Sequence, residues 1–315
     1  MQATGRGAPD AQHGRAGPPA HGRAIALMIV APTLWSIAGV VTRHLEYAGR
    51  WEVTFWRSLF AALFVLAALL VTRGGVWNAL RAGGAYGLLS GAMWAVMMIA
   101  FMLALMTTTT ANTLIVNSIT PLVTALLARA VLRDPIAART WAAIGLAIAG
   151  MLWMFGARFA AGEPRHLAGM AIALAVPLAA AVNLVTLKRA GRSVDLVPAV
   201  LIGAALSAAV SLPFALPLRA SAHDLVLLCG LGCLQLGLPC MLMVRASAQL
   251  SAPEISLLAM LEVVLGPLWV WLGAGEVPAL ATLAGGALVI AALLLNELAA
   301  FGGRRRARPR AAGQG

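Results

Sequence analysis

Charged residues are scarce in this sequence. They make up 11% of its 315 residues, against roughly 25% in an ordinary globular domain. Hydrophobic residues make up 61%, so a soluble fold would lack the polar side chains needed to cover its surface. The apolar residues form long blocks with almost no charge, such as 25–41, 93–106 and 280–295. A bilayer-spanning helix needs about 20 such residues, and the composition therefore predicts a polytopic membrane protein.

Motifs for catalysis and nucleotide binding are also missing. The sequence contains no HExxH, no GxSxG and no phosphate-binding loop, and its five histidines lie in the tails or at helix ends. We therefore expect neither an enzyme nor an ATP-driven pump. The three cysteines come without CxxC spacing and without a histidine partner. This pattern predicts no metal site and no cofactor.

The net charge of +12 is distributed as in membrane proteins. Five arginines lie in the last dozen residues (GRRRARPR), and most of the others flank apolar blocks. Positive residues concentrate in cytoplasmic loops. If the N-terminus is inside, the loops on that side carry more Arg and Lys than the loops opposite, even without the tails. The distribution predicts two cytoplasmic termini and no nucleic-acid partner.

Division of the chain at charges, proline and glycine gives a series of candidate spans. They cover roughly 24–42, 53–72, 84–106, 110–131, 139–157, 167–188, 197–218, 224–246, 252–273 and 279–299. The first block has no cleavage site behind it, so we expect a transmembrane helix and not a removable signal peptide. Residues 1–23 are expected to form a disordered cytoplasmic tail, and residues 301–315 a basic one.

The two halves of the chain show weak internal similarity. A shift of 142 residues places Asp134 on Glu276, and a shift of 145 places Pro32 on Pro177. The identities are few, so chance matching is the alternative, but the matching order of helix lengths favours duplication. Units of five helices must be inverted relative to each other. We therefore expect an all-α integral membrane fold of ten transmembrane helices. It would comprise two inverted repeats, 24–157 and 167–300, joined by a periplasmic linker at 158–166.

A polar stripe runs along the fourth span. Its members are spaced three and four residues apart and so share one helix face: Thr110, Thr113, Asn117, Thr120 and Thr124. Such a stripe avoids lipid and either lines a water-filled cavity or bonds to neighbouring helices. We favour cavity lining.

Glu262 lies in the middle of the apolar stretch LLAMLEVVLGPLW. The 142-residue shift places it on Thr120, at the centre of the polar stripe. A charge at the bilayer centre costs about 2.5–3.5 kcal/mol on insertion scales. The functional hypothesis is a site for a proton or a substrate amine. The alternative is a protonated glutamate bonded to another helix.

Further candidates lie in other spans. Arg57, in the second span, could bind a substrate carboxylate, although we favour snorkelling to the interface or pairing. Trp35 and Ser36 in the first span and Asn183 in the sixth are expected to face the same path. Trp94, among the methionines of the third span, completes the set of candidate lining residues.

Two segments carry a resemblance to a known family. They are NSITPLVTALLARAVLRDPIAARTWAAIGLAIAG and LLAMLEVVLGPLWVWLGAGEVPALATLAGGALVIAALLL. Each consists of a proline-containing helix, a short acidic turn and a helix rich in small residues. Over roughly 24–300 the chain resembles the drug/metabolite transporter superfamily, in its EamA-type branch. The resemblance implies a central cavity lined by helices one to four and six to nine. It also implies alternating access in the bacterial inner membrane.

The expected function is secondary transport of a small metabolite, such as an amino acid or related compound. Export is favoured over import, and the resemblance makes protons a candidate coupling ion. The partners would then be the small-molecule substrate, the lipid bilayer and protons. The alternative is a non-transporting or lipid-moving membrane helix bundle.

Overall fold

The computed structural model describes residues 18–73, 75–132, 163–191, 194–250 and 252–280. It also describes helical positions scattered between 138 and 157 and between 283 and 295. All regular elements among these residues are helical, as predicted. They are α1 (Pro18–Trp35), α2 (Ala38–Thr42), α3 (Arg50–Arg73), α4 (Val76–Ala82), α5 (Gly84–Leu105), α6 (Thr110–Asn117), α7 (Thr120–Leu132), α8 (Pro164–Ala173), α9 (Ala175–Ala190), α10 (Val197–Ala215), α11 (Ala222–Gly230), a π-helix (Leu231–Gly237), α12 (Leu238–Ser247) and α13 (Ala252–Ala274).

Within the part of the chain that the structure describes, seven helical segments are long and apolar enough to cross a membrane. They are His21–Thr42, Arg50–Thr72, Gly84–Leu105, Thr110–Val131, Pro164–Ala190, Val197–Ala215 and Ala222–Ser247, each overlapping an expected span. The helix α13 coincides with the expected ninth span. Nearly half of the expected fifth and tenth spans lies outside the described residues, as do the C-terminal tail and most of the linker at 158–166. The expected tail at 1–23 is too long, because α1 already includes Pro18.

Prolines account for three interruptions of the spanning helices. A proline has no N–H, and its ring clashes with the carbonyl four residues before it. Ahead of Pro121, the helix is broken between α6 and α7, and ahead of Pro177 it is broken between α8 and α9. Ahead of Pro239 the chain forms the π-helix. These irregular turns leave backbone N–H and C=O groups without helical hydrogen bonds in the middle of the bundle. Lipid cannot bond to these groups, but other protein groups can.

Close backbone approaches hold the core together. The helices α3, α5 and α10 share an apolar core that includes Val65, Trp94 and Val200. A Cβ on Gly203 would collide with Trp94, so α10 lies directly against α5. This packing fixes the position of α5, the third span, whose inner side chains point into the bundle.

Candidate functional site

A cavity of about 190 Å³ lies between the interrupted helices. Its apolar wall includes six aromatic and thioether side chains, namely Trp35, Trp94, Met97, Met98, Phe101 and Met243. Its polar wall consists of Arg57, Asn117, Ser118, Thr120, Asn183, Gln235 and Glu262. An apolar pocket with a few converging polar groups is the usual form of a small-molecule site.

The cavity brings together residues from both halves of the chain. Seven candidates from the sequence line it: Trp35, Arg57, Trp94, Asn117, Thr120, Asn183 and Glu262. The sequence alignment of Glu262 with Thr120 thus agrees with their common position on the wall. Asn183 accepts a hydrogen bond from the Ser90 hydroxyl at 2.7 Å, which fixes its amide in α9 against α5.

Three candidates lie away from the cavity wall. Thr113 is buried and donates to the carbonyl of Thr109 at 3.1 Å. Thr124 is buried as well, and its hydroxyl has no hydrogen-bond partner. Ser36 donates to the Thr33 carbonyl and accepts from Trp269 Nε1 at 3.0 Å, so it joins α1 to α13. A helix face that is polar along its whole length therefore lines the cavity only at its centre.

Arg57 does not snorkel, contrary to the favoured expectation. Its side chain is 1% exposed and lines the cavity. It donates from one terminal nitrogen to Gln235 Oε1 at 3.1 Å and from the other to the Met98 carbonyl at 3.3 Å. Arg57 projects between helices toward these acceptors because α3 is packed on both α5 and the π-helix. The guanidinium is thus fixed by neutral groups deep in the bundle.

Glu262 faces the same space from α13. It is 8% exposed and accepts no hydrogen bond from any residue of the described ranges. No ion pair within 4.0 Å joins it to Arg57, although both line the cavity. The cavity therefore holds a carboxylate and a guanidinium that remain separate. The carboxyl group of Glu262 is therefore available to an occupant, and Arg57 retains one buried donor, Nε, that has no partner among the described residues.

Gln235 is a cavity residue that the sequence analysis missed. It is 1% exposed, and it lies in the π-helix that precedes Pro239. The signal in the sequence was a single amide in the apolar eighth span, followed four residues later by a proline. Ser118, at the α6–α7 break, was missed for the same reason: neither residue falls on a regular polar stripe.

A second cavity, of about 500 Å³, adjoins the first. The two share Leu184 and Ile255 as walls, and the second is also lined by Lys188 and Arg245. We call this side of the bundle the Lys188 end. A chain of adjoining spaces thus leads from Glu262 toward the Lys188 end.

The opposite side, which we call the Arg43 end, is tightly joined. Arg43 Nε donates to Glu276 Oε2 at 2.8 Å, and its terminal nitrogens donate to the carbonyls of Leu105 and Thr108. The other carboxylate oxygen of Glu276 accepts from the Thr110 N–H at 3.3 Å. One ion pair therefore connects the ends of α2, α5, α6 and α13.

The carboxylate of Asp224, at the Arg43 end, lies beside other potential metal ligands, but it accepts hydrogen bonds from backbone N–H groups. Asp224 lies near Glu46 and His223. It accepts hydrogen bonds from the N–H groups of residues 46, 47 and 48 at 2.8, 3.0 and 3.0 Å. Glu52 does the same for Arg219 and Ala220, both at 2.8 Å. These two carboxylates bind the loops of neighbouring helices to each other.

The fold defines a multi-pass membrane protein with a central cavity. Residues 22–156 match the model of the EamA-like transporter family. The match confirms the resemblance seen in the sequence for this part of the chain. This family is one of membrane transporters of small molecules and is generally non-enzymatic.

The chain is also similar in fold to a solved structure described as "Crystal structure of protein". The two are 21% identical with a TM-score of 0.60, over 89% of this chain and 99% of the other. This likeness supports the fold alone. No curated protein sequence matches the chain.

Proposed function

We propose that this protein is a secondary transporter that exports a small metabolite, an amino acid or a related compound, across the bacterial inner membrane by alternating access. The observation that carries the proposal is the central cavity, which adjoins a second space toward the Lys188 end and meets a closed network at the Arg43 end. A transporter that alternates needs such an asymmetry around a fixed site.

The charges of the cavity match a small amphipathic zwitterion. The carboxylate of Glu262 offers an acceptor to an amine, and aromatic faces such as Trp35 favour a cation beside them. Arg57 Nε and Trp94 Nε1 are buried donors that have no hydrogen-bond partner among the described residues, and they suit a carboxylate. The remaining wall is apolar and would receive the body of the molecule.

The positions of two positive residues support a specific orientation of the protein in the membrane. Lys188 and Arg245 border the second cavity, and positive loops favour the cytoplasm. The structure then corresponds to a state open toward the cytoplasm, with the Arg43 end on the periplasmic side. Glu262 is the candidate proton carrier, and Arg57 and Cys240 are the other ionisable side chains on the cavity wall.

The test is efflux from proteoliposomes loaded with a defined mixture of amino acids, with and without a pH gradient. The wild-type chain should release at least one amino acid faster than protein-free vesicles. Glu262→Gln should lower that efflux by about tenfold, because an uncompensated amine in the cavity costs at least 1.4 kcal/mol. Glu46→Gln, a change at an exposed carboxylate, is the matched control.

Two outcomes would contradict the proposal. Efflux equal to that of protein-free vesicles would exclude amino acids as cargo. Faster movement of labelled phospholipids between leaflets, without any solute efflux, would favour the lipid-moving bundle.

A further inference from the structure

The π-helix Leu231–Gly237 places Gln235 at the centre of the bundle. A π-turn is rare, and it often occurs at functional sites. Here it is pressed against α3, because a Cβ on Gly232 would lie 2.6 Å from the Arg57 carbonyl. Gln235 consequently projects between α1 and α3, and not along the regular face of its own span.

Gln235 makes two hydrogen bonds that fix the orientation of its amide. Its Oε1 accepts from Arg57 at 3.1 Å, and its Nε2 donates to the Trp35 carbonyl at 3.1 Å. A flipped amide would lose both bonds, since a guanidinium only donates and a carbonyl only accepts. The Trp35 carbonyl is available because α1 ends at that residue.

Arg57 and Glu262 line the same cavity but do not form an ion pair. In its ionised form, Glu262 carries the charge opposite to that of Arg57, to which it would be attracted strongly in a low-dielectric interior. Arg57 instead bonds to Gln235 and to the Met98 carbonyl. The two neutral acceptors hold the guanidinium on the α3 side of the cavity.

We propose that Gln235 is a positioning residue that keeps the guanidinium of Arg57 apart from the carboxyl group of Glu262, so that both groups can contact a bound substrate. The use of this arrangement in substrate binding rests on the proposed function, but the positioning itself involves only the side chains of Gln235, Arg57 and Glu262. Without Gln235, Arg57 is free to pair with Glu262, and a substrate must then displace that pair.

A thermal-unfolding cycle in detergent tests the positioning without any substrate. The four proteins are the wild type, Gln235→Met, Glu262→Gln and the double variant. In the wild-type background, Glu262→Gln should not lower Tm, because it removes a carboxylate that has no hydrogen bond. In the Gln235→Met background it should lower Tm by about 3 °C, because it breaks the newly formed pair.

The conservative variant Gln235→Glu sharpens the cycle. It retains an acceptor for Arg57, so Glu262→Gln should again leave Tm unlowered. If Gln235→Met does not fold, Gln235→Asn replaces it, since the shorter amide cannot bridge Trp35 and Arg57. Equal effects of Glu262→Gln in all backgrounds would overturn the proposal.

A transport measurement separates this inference from the proposed function. With the amino acid identified by the efflux screen, Gln235→Met should raise KM about tenfold, as expected for 1.4 kcal/mol of lost binding, and leave kcat within about twofold. A reduced kcat at unchanged KM would overturn the positioning role. If the effect of Glu262→Gln on Tm depends on Gln235 as described, but the protein transports no amino acid, the positioning role stands and amino acids are excluded as the cargo.

Discussion

The two ends of the helix bundle are built differently. At the Arg43 end, the carboxylates of Glu52, Asp224 and Glu276 bind backbone N–H groups or an arginine of neighbouring helices. At the Lys188 end, a cavity of about 500 Å³ is bordered by Lys188 and Arg245. The difference shows that these three carboxylates join the helices at one end, whereas the other end borders open space.

Helix packing follows the same asymmetry. Gly39 lies where a Cβ would come within 2.7 Å of Thr110 and Val270, and Gly266 packs on Leu114. The helices α2, α6 and α13 thus meet closely between the cavity and the Arg43 end. Toward the Lys188 end, Ile255 and Ala259 on the same α13 border open space. The comparison predicts that changes at the Arg43 end have larger effects than equivalent changes opposite.

The largest effect is expected for Asp224→Asn. An amide of the same size cannot accept all the N–H groups of residues 46–48 that the buried carboxylate accepts. We expect a loss of about 3 kcal/mol of unfolding free energy, since hydrogen bonds to a buried charge are strong. Thermal unfolding in detergent measures it. Glu46→Gln, at an exposed carboxylate of the same end, should cost less than about 0.5 kcal/mol, and equal losses for the two variants would refute the role of Asp224 in joining these loops.

A smaller loss is expected for Gly39→Ala. Alanine gains about 1 kcal/mol over glycine in a helix, but here its Cβ overlaps the stiff side chains of Thr110 and Val270. Overpacking costs about 1–3 kcal/mol, so the net change should be a destabilisation of about 1 kcal/mol. Gly87→Ala is the control, because nothing lies within 4 Å of its added Cβ. A lower Tm for Gly87→Ala than for Gly39→Ala would contradict the close packing.

The smallest effect on stability, with a distinct effect on access, is expected for Glu276→Gln. The Arg43–Glu276 pair is about one-quarter exposed, so its loss should cost about 1 kcal/mol or less. It should nevertheless speed the reaction of Cys240, a cavity-lining thiol, with a membrane-impermeant maleimide added on the Arg43 side. Cys229→Ala and Cys233→Ala remove the other two thiols from the background.

The control for this labelling experiment is Lys188→Gln, which removes a charge at the opposite end. It should leave labelling from the Arg43 side unchanged. If Glu276→Gln and Lys188→Gln label alike, the ion pair does not close that end.

The helices themselves follow from local sequence. Apolar blocks of about 20 residues must form helices in a bilayer, because their backbone groups have no other partners there. The spans expected at 53–72, 84–106 and 197–218 therefore coincide with α3, α5 and α10 within a few residues. Glu262 and Asn117 were also recognisable, since a polar group in such a block requires an explanation.

Other features depended on groups that are distant in sequence. No sequence pattern predicted a role for Asp224, and Glu276 was marked only by its match to Asp134. The fold alone shows which N–H groups they bind. Arg57 looked like a residue near a membrane interface, but helix packing covers it completely. Thr113 and Thr124 lie on the predicted polar stripe, yet neighbouring helices occupy the space beside them.

The sequence by itself determined the membrane-spanning helices, because the backbone groups of an apolar block in a bilayer can bond only within the helix. The tertiary structure alone decided which polar residues meet. The separation of Arg57 from Glu262 is set by Gln235 in a π-turn and by the carbonyls of Met98 and Trp35. These five residues come from five different helical segments, and their meeting depends on how those segments pack.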